Sequence, residues 1–115
     1  MSASGLYRYR AHVDRWVDAD TVDLLVDLGF AMFAHLRFRL ARVNAPERGT
    51  DEHPAALAIV ERLAPAGSQV FVESRRGDRY GRWIGEITTA AGINASDALL
   101  AVGTLQGIGD RNGQN

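Results

Sequence analysis

Two runs of alternating polarity, separated by a glycine, constrain this chain more than any other feature. From Thr21 to Leu28 the apolar residues Val22, Leu24, Val26 and Leu28 fall on every second position, with Asp23 and Asp27 between them. From Met32 to Val43 the same period returns, with Leu36, Phe38 and Leu40 on one side and Arg37 and Arg39 on the other. A period of two puts successive side chains on opposite faces of an extended chain, so each run reads as a half-buried strand. Gly29 turns the chain between them.

The rest of the chain fills in around this pair. Leu6 to Val17 mixes aromatic and β-branched residues with arginines and reads as a strand, closed by the turn signal Asp18-Ala19-Asp20. Asn44 to His53 is a polar loop around Pro46 and Gly49. A helix is predicted from Pro54 to Leu63 or Ala64, because Ala56, Ile59, Val60 and Leu63 form a stripe at helical spacing. Gln69 to Ser74 gives a fourth strand, Arg75 to Gly81 a charged hairpin-like connection, and Arg82 to Thr89 a fifth strand. Ser96 to Val102 gives a second helix, with Asn94 or Ser96 as its N-cap and Gly103 as its stop. Five strands with a helix inserted after the third predict an α+β chain, mainly β: a five-stranded OB-fold Greek-key barrel carrying two helices. Residues 1–115 are expected to form one domain, with a frayed tail from Gln106 onward.

Composition narrows the function. No apolar run reaches the roughly 18 residues of a membrane span, so no membrane partner is expected. No signal peptide is visible at the N-terminus, which points to the cytoplasm, with a secreted form left open. Cysteine is absent, which excludes disulfides and thiolate metal sites. The net charge of −1 argues against a protein that simply coats nucleic acid, yet leaves room for a local cationic site. All 13 basic side chains other than histidine are arginine, the residue whose planar fork matches phosphate oxygens best.

The residues able to do chemistry lie in three separated fragments. Asp18 and Asp20 flank Ala19 and offer oxygen ligands to a hard cation, although an Asp-x-Asp pair is also simply a good turn former. Arg39 sits on the strand face opposite Phe38 and Leu40, which is the outer surface where OB folds take ligands. Pro46 stiffens the exit from that strand and fixes where Glu47 projects, and a positioned carboxylate suits a general base or a water-orienting group. The bland alternative is a surface Arg–Glu pair of little energetic weight. Asp78-Arg79-Tyr80-Gly81-Arg82 reads as a tight turn that presents a second arginine, which alone would be a solvated turn charge. His12, His35 and His53 are scattered, and Trp16 and Trp83 read as core or rim packing.

These three fragments, with Asp20-Thr21-Val22, Phe38-Arg39-Leu40 leading to Pro46-Glu47, and Asp78-x-Tyr80-Gly81-Arg82, resemble the signature of the staphylococcal-type thermonuclease family. The resemblance implies an endonuclease that hydrolyses phosphodiester bonds of DNA or RNA with Arg39, Glu47 and Arg82 as catalytic residues. It implies Ca2+ as cofactor, ligated by Asp20, by Asn44 and by the backbone carbonyl of Ala45, with Asp18 as a neighbouring carboxylate. Arg37, Arg79 and Tyr80 are further nucleic-acid contacts. The chain departs from the family in two places. Asn44 stands where the family usually has an aspartate, and the third, C-terminal helix with its tyrosine-bearing sequence is absent. Fewer charged ligands weaken calcium binding or change metal preference. The rival expectation is an OB-fold nucleic-acid or protein-binding module with weakened or lost catalysis. A monomer is expected, and the missing helix leaves an oligomer or a covering partner open.

Overall fold

The computed structural model describes residues 8–77 and 82–102, with side chains undescribed at 76 and 77. The elements run β1 (Arg8–Asp18), β2 (Thr21–Gly29), β3 (Met32–Leu40), α1 (Glu52–Leu63), β4 (Gln69–Gly77), β5 (Trp83–Thr89) and α2 (Ala95–Val102). The strands close into a barrel in the order β1-β2-β3-β5-β4. β1 pairs antiparallel with both β2 and β4, β2 with β3, and β4 with β5, while β3 and β5 run parallel through Phe38–Trp83, Arg39–Ile84 and Leu40–Gly85. This closed, OB-fold-like barrel with two helices is the architecture that the alternating runs predict.

The alternation has a direct physical consequence. Val22, Leu24, Val26, Phe38 and Leu40 point into the barrel, where they join Ala11, Val13, Val70, Val72 and Ile87 in the core. Each fully buried aliphatic side chain of this size contributes roughly 1.5–3 kcal/mol by leaving water. Gly85 belongs to this inward set. A Cβ there would meet Phe38 Cδ2 and Val72 Cγ2 at 3.0 Å, so a larger residue would press on both core side chains where β5 closely approaches its neighbours. α1 buries Ala56 and Val60. Its C-terminal carbonyl at Ala64 accepts a 2.8 Å bond from Trp16 Nε1, which ties the helix to β1.

Several boundaries differ from the sequence expectation. β3 ends at Leu40 rather than Val43, because Ala41 and Arg42 form a turn in which Arg42 takes a left-handed backbone, φ 72°. That conformation costs a non-glycine residue on the order of 1–3 kcal/mol. α1 starts at Glu52, two residues before Pro54, because proline is tolerated anywhere in a first turn. β4 continues to Gly77, so Arg75 belongs to a strand instead of a connection. Asn94 is the cap of α2, accepting the Asp97 N–H at 2.9 Å, while Ser96 is buried and donates to the Ala41 carbonyl at 2.7 Å. Trp83 is half exposed at the barrel rim. The expectations for the N-terminal residues of the first strand, for Arg79 and Tyr80, and for the tail fall outside the described residues. No helix among the described residues is long and apolar enough to cross a membrane.

Candidate functional site

One corner of the barrel gathers most of the residues with chemical potential. It forms where the β1–β2 turn meets the end of β3. The register pairs Thr21 with Arg39, and the Leu40 N–H donates to the Asp20 carbonyl at 2.8 Å. Asp20 is thereby held beside the arginine by backbone alone. Its Oδ1 accepts from Thr21 Oγ1 at 3.0 Å, its Oδ2 accepts the Ala45 N–H at 3.0 Å, and Arg39 Nη2 lies 3.7 Å from Oδ2. Arg39 also donates to the Leu40 carbonyl at 3.0 Å and to Asn44 Oδ1. Four residues singled out in the sequence, Asp20, Arg39, Asn44 and Ala45, therefore belong to one hydrogen-bonded cluster. Ala45 enters it through its N–H, which anchors the loop to Asp20.

Asp18 faces a different set of partners. A β-bulge between Trp16 and Asp18 re-aims the strand end. The Asp18 Oδ1 then takes Arg48 Nε and His53 Nε2, each at 3.0 Å. Burial works against its charge, but the hydrogen bonds from His53 and Arg48 prevail and hold its pKa below the usual carboxylate value. Arg48 donates further to the Val17 carbonyl at 3.2 Å. Asp18 thus braces the loop and the start of α1 against β1. Neither Arg48 nor His53 carries a local signal for this role, since each meets Asp18 across 30 residues or more.

Glu47 is set apart. Its carbonyl accepts Thr50 Oγ1 at 2.7 Å and the Thr50 N–H at 3.3 Å, closing a turn that leaves the side chain exposed. Its carboxylate makes no hydrogen bond or ion pair with another described residue. Arg82 is half-buried and immediately precedes β5. Trp83 pairs with Phe38 and Ile84 with Arg39, so the period of two puts Arg82 on the same outer face as Arg39. The parallel β3–β5 pairing is what brings Arg39 on β3 and the residue leading into β5 side by side. Arg37 is engaged elsewhere, donating to Asp23 at 2.7 and 3.1 Å. Arg79 and Tyr80 lie outside the described residues.

The corner's donors are oxygens: the Asp20 carboxylate and the Asn44 amide carbonyl. Such a set suits a hard divalent cation and not a soft one. With asparagine at 44 the cluster holds one carboxylate, and among the described residues no group of three or more His, Asp or Glu side chains is arranged to hold a metal ion. The corner therefore offers one carboxylate and one amide carbonyl, and that carbonyl already accepts from Arg39. The neighbouring Arg39 adds a fork for phosphate oxygens.

A second charged cluster escapes sequence reading altogether. Arg42 donates to both carboxylate oxygens of Glu86 at 2.9 Å, to Asn94 Oδ1 at 3.2 Å, and pairs with Asp97 at 2.9 Å. Asn94 Nδ2 donates to Glu86 Oε1 at 3.0 Å, and Arg75 approaches Glu86 at 3.5 Å. The Arg42 hydrogen bond is the main reason that the Glu86 pKa is lowered. A cleft of about 450 Å³ lies over this network, between β4, β5 and α2.

No family model matches the chain. Over 91 residues it is 31% identical to a protein of Escherichia coli O157:H7 named "Uncharacterized endonuclease", and equally to one of the same name from Escherichia coli. The match takes in 79% of this chain, which spans 56% of the length of each relative. The chain is thus a distant homologue of proteins named endonucleases, matched over a little more than half of their length.

Proposed function

We propose that this chain is the barrel of a divalent-cation-dependent nuclease that hydrolyses phosphodiester bonds of DNA or RNA. The observation that carries the reading is the convergence of Asp20, Arg39 and Asn44 at one corner, with the exposed Glu47, whose carboxylate has no partner among the described residues, two residues beyond Ala45. The resemblance to thermonucleases and the endonuclease name of the relatives support the same class.

In this reading Glu47 accepts a proton from the water that attacks phosphorus. A carboxylate with no partner among its described neighbours is free to take that proton. Arg39 on β3 and Arg82 immediately before β5 stabilise the charge that develops on the phosphoryl oxygens, and the bond opposite the incoming water breaks. Asp20 and Asn44 would hold the cation, with calcium the first candidate, and it would supply Lewis-acid charge beside the phosphate. The Ala45 N–H and Thr21 hydroxyl keep the Asp20 carboxylate oriented. Among the described residues no arrangement of base-edge readers is present, and on this reading cleavage is of low sequence specificity.

A second reading, a nucleic-acid-binding module without turnover, is favoured by Asn44, which removes one charge from the corner and turns its carbonyl to Arg39. A nuclease assay with added calcium separates the two. Wild type is expected to cleave, with Glu47→Gln and Arg82→Ala slower by roughly 10²-fold or more. Wild type that binds single- or double-stranded substrate and cleaves neither would sink the enzymatic reading in favour of the module.

A further inference from the structure

We propose that Arg42 is a positioning residue, which sets the direction in which the chain leaves β3 and so places Asn44 and Ala45 against Asp20. The proposal rests on the nuclease reading for its functional meaning and on backbone geometry for its content.

Between the last residue of β3, Leu40, and the site residues Asn44 and Ala45 lie only Ala41, Arg42 and Val43. Each is fixed by a different means. Ala41 is buried and held at both ends of its peptide units, its N–H donating to the Gly85 carbonyl at 3.0 Å and its carbonyl accepting buried Ser96 Oγ at 2.7 Å. Val43 is anchored in the core. Arg42, between them, adopts φ 72°, a conformation in which an arginine is sterically disfavoured and glycine is not. Such a residue keeps that geometry where its surroundings over-determine it. Here the surroundings are visible: the guanidinium is bonded to Glu86 on β5 and to Asn94 and Asp97 at the start of α2. Glu86 lies two residues beyond Ile84, the register partner of Arg39. The clamp therefore references the site loop to the strand beside Arg39. Two residues after Arg42, Asn44 Oδ1 meets Arg39, and one residue further the Ala45 N–H meets Asp20. A rotation at Arg42 would move both contacts together.

The test uses the full chain and two readouts. Arg42→Gly removes the guanidinium while relieving the backbone, so a loss of site order cannot be blamed on backbone strain. Amide hydrogen exchange at Ala45 is followed by NMR, with core amides of Val72 and Ile87 as controls, and kcat and KM are measured where cleavage occurs. The expected result is exchange at Ala45 accelerated by about tenfold or more beyond any change at the core amides, and kcat lowered roughly 10–100-fold with KM little altered. Glu86→Gln keeps the arginine and weakens its main partner, and is expected to give the same pattern at smaller size; it decides the question if Arg42→Gly does not fold. Arg42→Lys should not rescue, because an ammonium cannot span both Glu86 oxygens. Unchanged Ala45 exchange in Arg42→Gly, or equal acceleration at Val72 and Ile87, overturns the positioning role. An inactive wild type overturns the nuclease reading instead, and the exchange result still decides the role of Arg42.

Discussion

Among the described clusters of arginines and carboxylates, the one around Glu86 and the one around Asp20 are built on opposite principles. Around Glu86 every charge is answered: Arg42 spans both carboxylate oxygens, Asn94 adds a third bond, and Arg75 and Asp97 close the set. Around Asp20 the hydrogen bonds go to neutral groups, Asp20 accepting from Thr21 and Ala45 and Arg39 donating to Asn44 and the Leu40 carbonyl, and the opposite charges are not closely paired. Arg39 sits 3.7 Å from its nearest carboxylate oxygen, and the Glu47 carboxylate has no partner among its described neighbours. The same residue types thus serve as a latch in one place and, on the proposed nuclease reading, face a ligand in the other. A saturated network spends its hydrogen-bonding capacity on the fold, and an unsaturated one keeps capacity for something that is not part of the fold.

This contrast predicts that substitutions around Asp20 and Glu47 cost activity with little stability, and that those around Glu86 cost stability first and activity only through the loop they hold. The largest effect belongs to Glu47. Glu47→Gln is expected to lower cleavage by roughly 10²–10⁴-fold while leaving the urea midpoint unchanged, because its carboxylate contributes no described contact. A large loss of stability would show that Glu47 belongs to the fold. The reverse pattern is expected at Glu86. Glu86→Gln should cost roughly 1–3 kcal/mol in chemical denaturation, since it leaves Arg42 short of its best partner. The cost should be larger than any activity loss not traceable to the loop position.

A smaller effect sharpens the metal side of the comparison. Asn44→Asp returns a charged oxygen to the corner and is expected to tighten calcium binding by about tenfold, read by isothermal titration. Unchanged affinity would remove Asn44 from the ligand set. Smallest is the exposed triad Arg15–Asp23–Arg37 on the outer face, where Asp23→Asn should cost under about 1 kcal/mol because solvent screens such pairs.

The latch should also be acid-labile. The folded-state pKa of Glu86 lies below its ordinary 4.5, held down first by Arg42. Its stabilisation is therefore complete above that ordinary value and fades as pH falls through the lowered one. Asp23, lowered first by its bond from Arg37, and Asp18, lowered against the opposing effect of burial, add the same sign below their ordinary 3.8. Urea unfolding followed from about pH 7 to about pH 3 should show a decline that is shallower in Glu86→Gln. An identical slope would mean that Glu86 is not the group responsible.

Much of the barrel was legible because strand periodicity is local. Val22, Leu24, Val26, Phe38 and Leu40 declare their inward face by spacing, and the same spacing puts Arg39 outward. The Asp20 corner was legible to the extent that its members lie close along the chain, as Arg39, Asn44 and Ala45 do. What escaped depends on closure. Arg42 meets Glu86 across 44 residues, and Asp18 meets His53 across 35. No local pattern marks either pair. The turn at Ala41 and Arg42 escaped for a sharper reason. Its left-handed residue is an arginine, where the usual sequence sign would be glycine or asparagine. Ser96 likewise looked like a helix cap and proved to be a buried anchor for Ala41.

The most direct test of the central claim is a comparison of wild type and Glu47→Gln on a labelled single strand, with binding and cleavage measured separately under calcium and under a chelator. The account expects equal substrate affinity in both proteins, and cleavage by wild type that requires calcium and is lost in Glu47→Gln by roughly two orders of magnitude or more. Equal cleavage rates in the two proteins, or wild-type cleavage indifferent to the chelator, would contradict it.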